Sequence, residues 1–189
     1  NLDGKLDLVI ANGEITESVN APEPMTVFVQ NEEGNFVDRS VSSGLEEIVS
    51  LSRGLAVADY NLDGKPDVAI NAVQPQSTGT ESARLLQNSG EYSGHWVSVI
   101  LPFSARQARL HSGRTTQLRE KKAGGSYLSH ADVPIHFGLN AEQRIDSLVV
   151  DFTGGLSRTF QDFPQDALIG VREDGSWFVV RHESAINCA

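Results

Sequence analysis

The sequence predicts an all-β chain, with a repeated strand–loop–strand unit followed by a small antiparallel β-domain. Three observations carry this. A loop pattern rich in Asp, Asn and Gly occurs twice, each time followed by a short apolar run with β-branched residues. Many short apolar runs are punctuated by 17 Gly and 7 Pro, as strands and turns require. No stretch carries a long amphipathic helical pattern.

The clearer loop lies in Gly54–Asn71, where Asp59, Asn61, Asp63, Gly64 and Asp67 spell D-x-N-x-D-G-x-x-D. Calcium is a hard cation that takes six to eight oxygen ligands in flexible geometry. Positions 1, 3 and 5 of such a loop turn inward, here Asp59, Asn61 and Asp63. Gly64 follows where the backbone turns sharply and a Cβ would obstruct it. Lys65 then offers its carbonyl and Asp67 its carboxylate. Such an all-oxygen set suits Ca²⁺ over Zn²⁺, which prefers nitrogen and sulfur. A helical EF-hand is excluded, because position 12 is Ile70 where a bidentate Glu is needed. Gly54–Ala58 and Asp67–Asn71 read as strands on either side of the loop.

The chain opens on a second copy: Asn1, Asp3, Gly4, Lys5 and Asp7 match positions 3, 5, 6, 7 and 9. Asp3 and Asp63 are 60 residues apart, and self-similarity at such a period signals a repeat architecture, part of a β-propeller. The opening Asp of this copy would fall upstream of Asn1, so the chain reads as a fragment of a longer protein. Two Ca²⁺ loops are expected, the first truncated on its N-terminal side.

The remaining elements follow in order. Met25–Val29 is a strand after the Pro22–Pro24 breaker, and residues 31–38 form a turn flanked by apolar residues. Ser43–Leu45 leads into the second repeat, 74–82 is an exposed polar loop, and 83–88 is a further strand. The character then changes. His95–Leu101, Gln107–His111, Thr115–Lys121, Asp146–Phe152, Leu156–Phe160 and Trp177–Arg181 read as strands. Leu148, Val150 and Phe152 share one face by alternation. The expected organisation is a repeat region over 1–92, an antiparallel β-domain over 93–182 and a tail over 183–189.

The net charge of −10 and pI near 4.9, without a basic stripe, argue against nucleic acid as a partner. No run of 18 apolar residues occurs, so no membrane span is expected. Cys188 is the only cysteine, either a free surface thiol or half of a disulfide whose partner lies outside this sequence.

Catalytic constellations weigh less. His130, Asp132, His136 and Ser126–Ser129 could be assembled into a hydrolytic set, but no G-x-S-x-G elbow exists. His136 reads better as bonded to a backbone carbonyl, and Trp96 as core filling. Glu120 with Asp146 or Asp151 is a weak glycosidase pair. Residues 119–122 read as a solvated edge that resists strand pairing.

Taken together, the blocks resemble a known arrangement. The loops with their strands resemble FG-GAP (VCBS-type) repeats, and Gln30–Asp38 resembles the N-x-G-x-F-x-D linker between them. Gln117–Glu120, Gly124–Ser129 and His136–Leu139 resemble an ASPIC/UnbV domain. The whole is similar to the C-terminal part of a cartilage acidic protein family member. Three departures stand out: a short Pro102–Leu110 segment, His130 where Gln is common, and Phe152-Thr-Gly-Gly155 in place of Phe-Trp-Pro-x-Gly. The resemblance implies a secreted, calcium-binding, matrix- or surface-associated protein. Its partner would be an extracellular protein or glycan, or a larger surface assembly; in a bacterium the location would be periplasmic or the cell surface. Relatives in natural-product gene clusters leave an enzymatic or enzyme-accessory role as the alternative.

Overall fold

A computed structural model describes residues 1–15, 20–73, 83–122, 124–125, 134–141 and 144–182. The N-terminal half holds two three-stranded antiparallel sheets. In the first, β1 (Leu8–Ile10), β2 (Thr26–Gln30) and β3 (Phe36–Asp38) lie in sequence order. In the second, β5 (Asp67–Ala72) lies between β4 (Ser52–Ala58) and β6 (Arg84–Leu86). Met25, Val68 and Ile70 form a small shared core, lined by Val9, Leu45, Ile48, Leu55 and Leu86. A single helical turn, Ser40–Ser43, links the two units and stops at Gly44, whose φ of 74° takes the left-handed conformation. Both loops singled out by the sequence feed the first strand after them: Asn1–Asp7 leads into β1 and Asp59–Asp67 into β5.

The C-terminal half is a sandwich of two four-stranded sheets. One has the order β10-β7-β13-β14, formed by Ile135–Asn140, His95–Ile100, Ala167–Val171 and Trp177–His182. The other has the order β9-β8-β11-β12, formed by Thr115–Glu120, Ala105–Ser112, Ser147–Phe152 and Ser157–Phe160. Their inner faces meet in one core that includes Val97, Val99, Leu110, Phe137, Leu148, Val150, Phe152, Phe160 and Ile169. The alternation read along Leu148, Val150 and Phe152 is the one observed, with these side chains buried and Val149 and Asp151 half-exposed between them.

The all-β class holds throughout the described residues, apart from short helical turns. Two expectations change. The C-terminal domain is not purely antiparallel: β7 runs parallel to β13, with Val97 opposite Ala167 and Val99 opposite Ile169. And β13 itself has no counterpart among the expected strands. Every one of its residues is buried, so Ala-Leu-Ile-Gly-Val shows no alternation to read. Among the described residues no sheet closes into a ring. The polar loop over 74–82, most of the Gly124–Ser129 block, His130, Asp132, the tail over 183–189 and Cys188 lie outside the described residues.

Leu148 is fully buried at the centre of the sandwich. Leu148→Ala is expected to lower the stability of this half by about 2–5 kcal/mol, through lost transfer energy and the cavity left behind. Urea denaturation followed by near-UV circular dichroism measures it; a loss under about 1 kcal/mol would show that the two sheets do not share this core.

Candidate metal loops and their seam

The two loops have the same backbone. Leu2 and Leu62 carry positive φ of 61° and 60°, and Gly4 and Gly64 carry 82° and 87°. A leucine in the left-handed region is uncommon and costs roughly 1–2 kcal/mol, so its occurrence at the same place in both loops reflects a shared constraint. The side chains repeat as well. Asn1 Nδ2 donates to Asp3 Oδ2 at 3.1 Å, and Asn61 Nδ2 to Asp63 Oδ2 at 3.0 Å. The Asp3 and Asp63 amides each donate to the preceding Asn Oδ1 at 3.2 Å. The Lys5 and Lys65 amides each donate to the Asp Oδ1 at 2.9 Å.

The last acidic residue of each loop ties it to a strand. Asp7 Oδ1 accepts from the Gln30 amide at 3.0 Å, and Asp67 Oδ1 from the Asn88 amide at 2.7 Å. Asp67 is 1% exposed and also accepts from the Tyr60 amide. Asp59, whose equivalent lies before Asn1, accepts from the Asp63 and Gly64 amides at 3.0 and 2.8 Å. Burial, and to a smaller degree the carboxylates of Asp63 and Asp67, pushes Asp59 above the usual carboxylate range despite these bonds.

The structure thus brings Asp59, Asn61, Asp63, Lys65 and Asp67 into one loop, and Asn1, Asp3, Lys5 and Asp7 into the other. The donors are all oxygens, which fits a hard cation and no soft one. Their carboxylates are turned to backbone amides. Among the described residues, no three His, Cys, Asp or Glu side chains converge on one point.

The Asn61–Asp67 loop lies against the β10-β7-β13-β14 sheet at Trp96 and Arg181, and the Asn1–Asp7 loop meets β10 of that sheet together with β9 of the other. The Leu2 carbonyl accepts from the Asn140 amide at 2.8 Å, and the Gly4 carbonyl from Arg119 Nη2 at 3.4 Å. The Asn61 carbonyl accepts from Arg181 Nη1 at 3.0 Å. Gly64 is pressed on the Trp96 indole so closely that a Cβ would overlap the ring. A Cβ on Gly138 would stand 2.6 Å from the Leu2 backbone. Gln117 Nε2 bonds the Gly138 carbonyl at 2.6 Å beside Gly4.

Three sequence readings change at this seam. Trp96 is buried, but against the loop and not in the sandwich core. Arg119 is not a solvated edge residue. It lies over the Phe137 ring at 5.4 Å and reaches both the His136 and Gly4 carbonyls. His136 does not bond a backbone carbonyl: its Nδ1 is 2.9 Å from Ser98 Oγ, its ring stacks on Trp96 at 5.9 Å, and its Nε2 is sealed without a partner. The carboxylates weighed as a glycosidase pair are engaged separately, Glu120 with Lys122, Asp146 with Arg144, and Asp151 with Gln107, Arg109 and Ser157. Nothing in the sequence marked Arg119, Gly138 or Arg181 as seam residues. An unbroken Gly in a strand was the one available signal, since it marks a close backbone approach.

Burial, reinforced by the Arg119 charge, lowers His136 from 6.5 to about 4. The unfolded chain therefore takes up this proton first as pH falls. The stability that neutral His136 preserves is intact above pH 6.5 and drains away towards pH 4. Native protein is expected to lose about 2–3 kcal/mol between pH 7 and 4.5 from this residue, and His136→Gln to flatten that part of the profile. Urea midpoints across the range measure it; an unchanged slope in the variant would show that another group titrates.

Two family models match separate stretches of the chain. A model of the FG-GAP-like repeat matches residues 1–70, and a model of the ASPIC and UnbV domain matches residues 106–176. A similar stretch occurs in cartilage acidic protein 1 of Xenopus tropicalis, 39% identical over 49 residues. It covers 26% of this chain and 8% of that protein, so the chain spans a small part of the relative's length. Residues 1–70 are thus similar to the FG-GAP-like repeat and residues 106–176 to the ASPIC and UnbV domain.

Proposed function

We propose that this chain is part of an extracellular binding module in which Ca²⁺ acts structurally on the two loops. The observation that carries the reading is the duplication of one strained backbone and one hydrogen-bond pattern at Asn1–Asp7 and Asn61–Asp67. Asp59, Asn61, Asp63, the Lys65 carbonyl and Asp67 would hold one ion. Asn1, Asp3, the Lys5 carbonyl and Asp7 would contribute to the other. The ion in the second loop would offset the burial and, to a smaller degree, the carboxylate crowding that raise Asp59, and each ion would draw its carboxylates from their amide donors to a common centre. Loops of modest affinity suit the millimolar calcium found outside cells. No described helix is long and apolar enough to cross a membrane.

The finer parts of the proposal follow from the repeat family. The two three-stranded sheets belong to a β-propeller built from further repeats, and its surface binds an extracellular protein or glycan, alone or within a larger assembly. FG-GAP-like repeats over residues 1–70 support this part of the reading.

Calcium at a hundred times its dissociation constant contributes about 2.7 kcal/mol per site. The melting temperature is therefore expected to rise by about 5–10 °C per occupied loop over EDTA, with magnesium giving much less. Asp63→Asn should cut the shift by about half without changing the EDTA value much. Differential scanning calorimetry reads both; equal melting temperatures in calcium and EDTA would sink the proposal.

A further inference from the structure

We infer that Arg53 forms an anion site, placed to take the carboxylate of a ligand along one edge of its guanidinium. The site lies at the start of β4, at the end of that strand away from the Asp59–Asp67 loop, and it does not depend on the calcium reading. Arg53 is the extra residue of a β-bulge. Ser52 is opposite Ala72 and Gly54 is opposite Asn71, so no residue of β5 faces it. A bulge of this kind re-aims a side chain and is common beside functional sites. Here the side chain turns to the end of the first repeat unit, where Nη1 donates to the Gly13 carbonyl at 3.0 Å and to the Ser52 carbonyl. The approach needs glycine, since a Cβ on Gly13 would stand 2.7 Å from the Ser52 nitrogen. The neighbouring Asn12 carbonyl accepts from the Ser52 amide at 3.1 Å, and its side chain is tied to the Pro24 carbonyl and Thr26 Oγ1, both at 2.8 Å. One side of the guanidinium is therefore held in a fixed orientation.

The other side has no acceptor. Nε and Nη2 share one edge of the guanidinium with their N–H bonds parallel, and both are buried without a hydrogen-bond partner. This edge matches the two oxygens of a carboxylate side by side. A buried donor left unpaired is costly, and more so on a charged group. Two of them on one cation mark a place where an acceptor comes from elsewhere. No described carboxylate pairs with Arg53, although the chain has 25 acidic residues against 15 basic ones. The acids of the two loops are instead turned to backbone amides. A carboxylate is planar and can lie in the guanidinium plane, whereas a tetrahedral phosphate needs room above and below it. Burial of both nitrogens favours the thinner group. A small organic acid and the acidic side chain of a peptide present the same two oxygens.

Nuclear magnetic resonance of the nitrogen-labelled chain tests this, with acetate titrated at constant ionic strength against chloride and inorganic phosphate. Acetate should move the Arg53 Nε–H resonance downfield to saturation, together with the amides of Gly13, Ser52 and Gly54. Arg53→Lys keeps the charge but removes the paired donors, and in it those amides should no longer respond. Arg53→Gln gives the same readout if the lysine variant does not fold, and the titration of the native chain needs neither. N-acetylglutamate α-amide separates the two sources, and either result supports the site. Saturation at or below the acetate concentration assigns the carboxylate to a peptide side chain; a weaker response or none assigns it to a small acid. An Arg53 resonance that neither carboxylate moves would overturn the site. Equal movement in chloride or phosphate would overturn its assignment to a carboxylate.

Discussion

The two halves of this chain meet closely where side chains are missing. Gly64 under the Trp96 ring and Gly138 under the Leu2 backbone allow approaches that any Cβ would block. Much of the local structure follows from that. The left-handed Leu2 and Leu62 shape the loops whose Leu2, Gly4 and Asn61 carbonyls accept hydrogen bonds from the C-terminal half. Asp67, almost wholly buried, is fixed by two backbone amides from either side of the loop. A charge so placed is tolerable because it accepts hydrogen bonds from donors that would otherwise lack partners. Replacing it would leave the Tyr60 and Asn88 amides to find partners elsewhere.

The outer face of β7 and β10 is the other half of the contact. In a sandwich with one face wet, outward positions would be polar and exposed. Here Trp96 and Ser98 are buried on that face, with His136 half-buried between Trp96 and Ser98. On this face Ser98 bonds sideways to His136, and Gln117 reaches the Gly138 carbonyl from β9 of the other sheet, which satisfies these polar atoms at the seam. His136 is held neutral there by burial and by the Arg119 charge. Arg119 in turn keeps its guanidinium between Phe137, its own domain and the Gly4 carbonyl.

Local signals in the sequence were enough for the loops and their flanking strands. Oxygen-bearing residues at fixed spacing around an obligatory glycine leave few alternatives, and the second copy settled the register. Most strands of the sandwich were legible for the same reason, since Leu148, Val150 and Phe152 alternate between core and surface. Legibility failed where both faces of an element are covered. β13 has no polar face to betray its period, and its parallel pairing with β7 joins residues about 70 apart in sequence, from Val97 to Ala167. Trp96 and Arg119 failed for a related reason. Each has the composition of a core filler or a solvated edge, and only the arrival of a distant loop makes it a contact residue. The loop region 59–67 could be read from its own residues; what it presses against could not.

A repeat unit ordinarily buries its hydrophobic face against the next unit, and a terminal unit must be capped. The C-terminal sandwich meets the repeat segment through the loops and not through the apolar faces of the repeat sheets. Leu8 and Ile10 on β1 and Leu85 on β6 stay 47%, 41% and 56% exposed, although the domain is docked nearby. Apolar burial, being non-directional, would set the domain at any angle that hides enough surface. Backbone hydrogen bonds and glycine-sized gaps admit one angle. A seam built from Leu2, Gly4, Asn61 and Gly64 therefore trades strength for orientation.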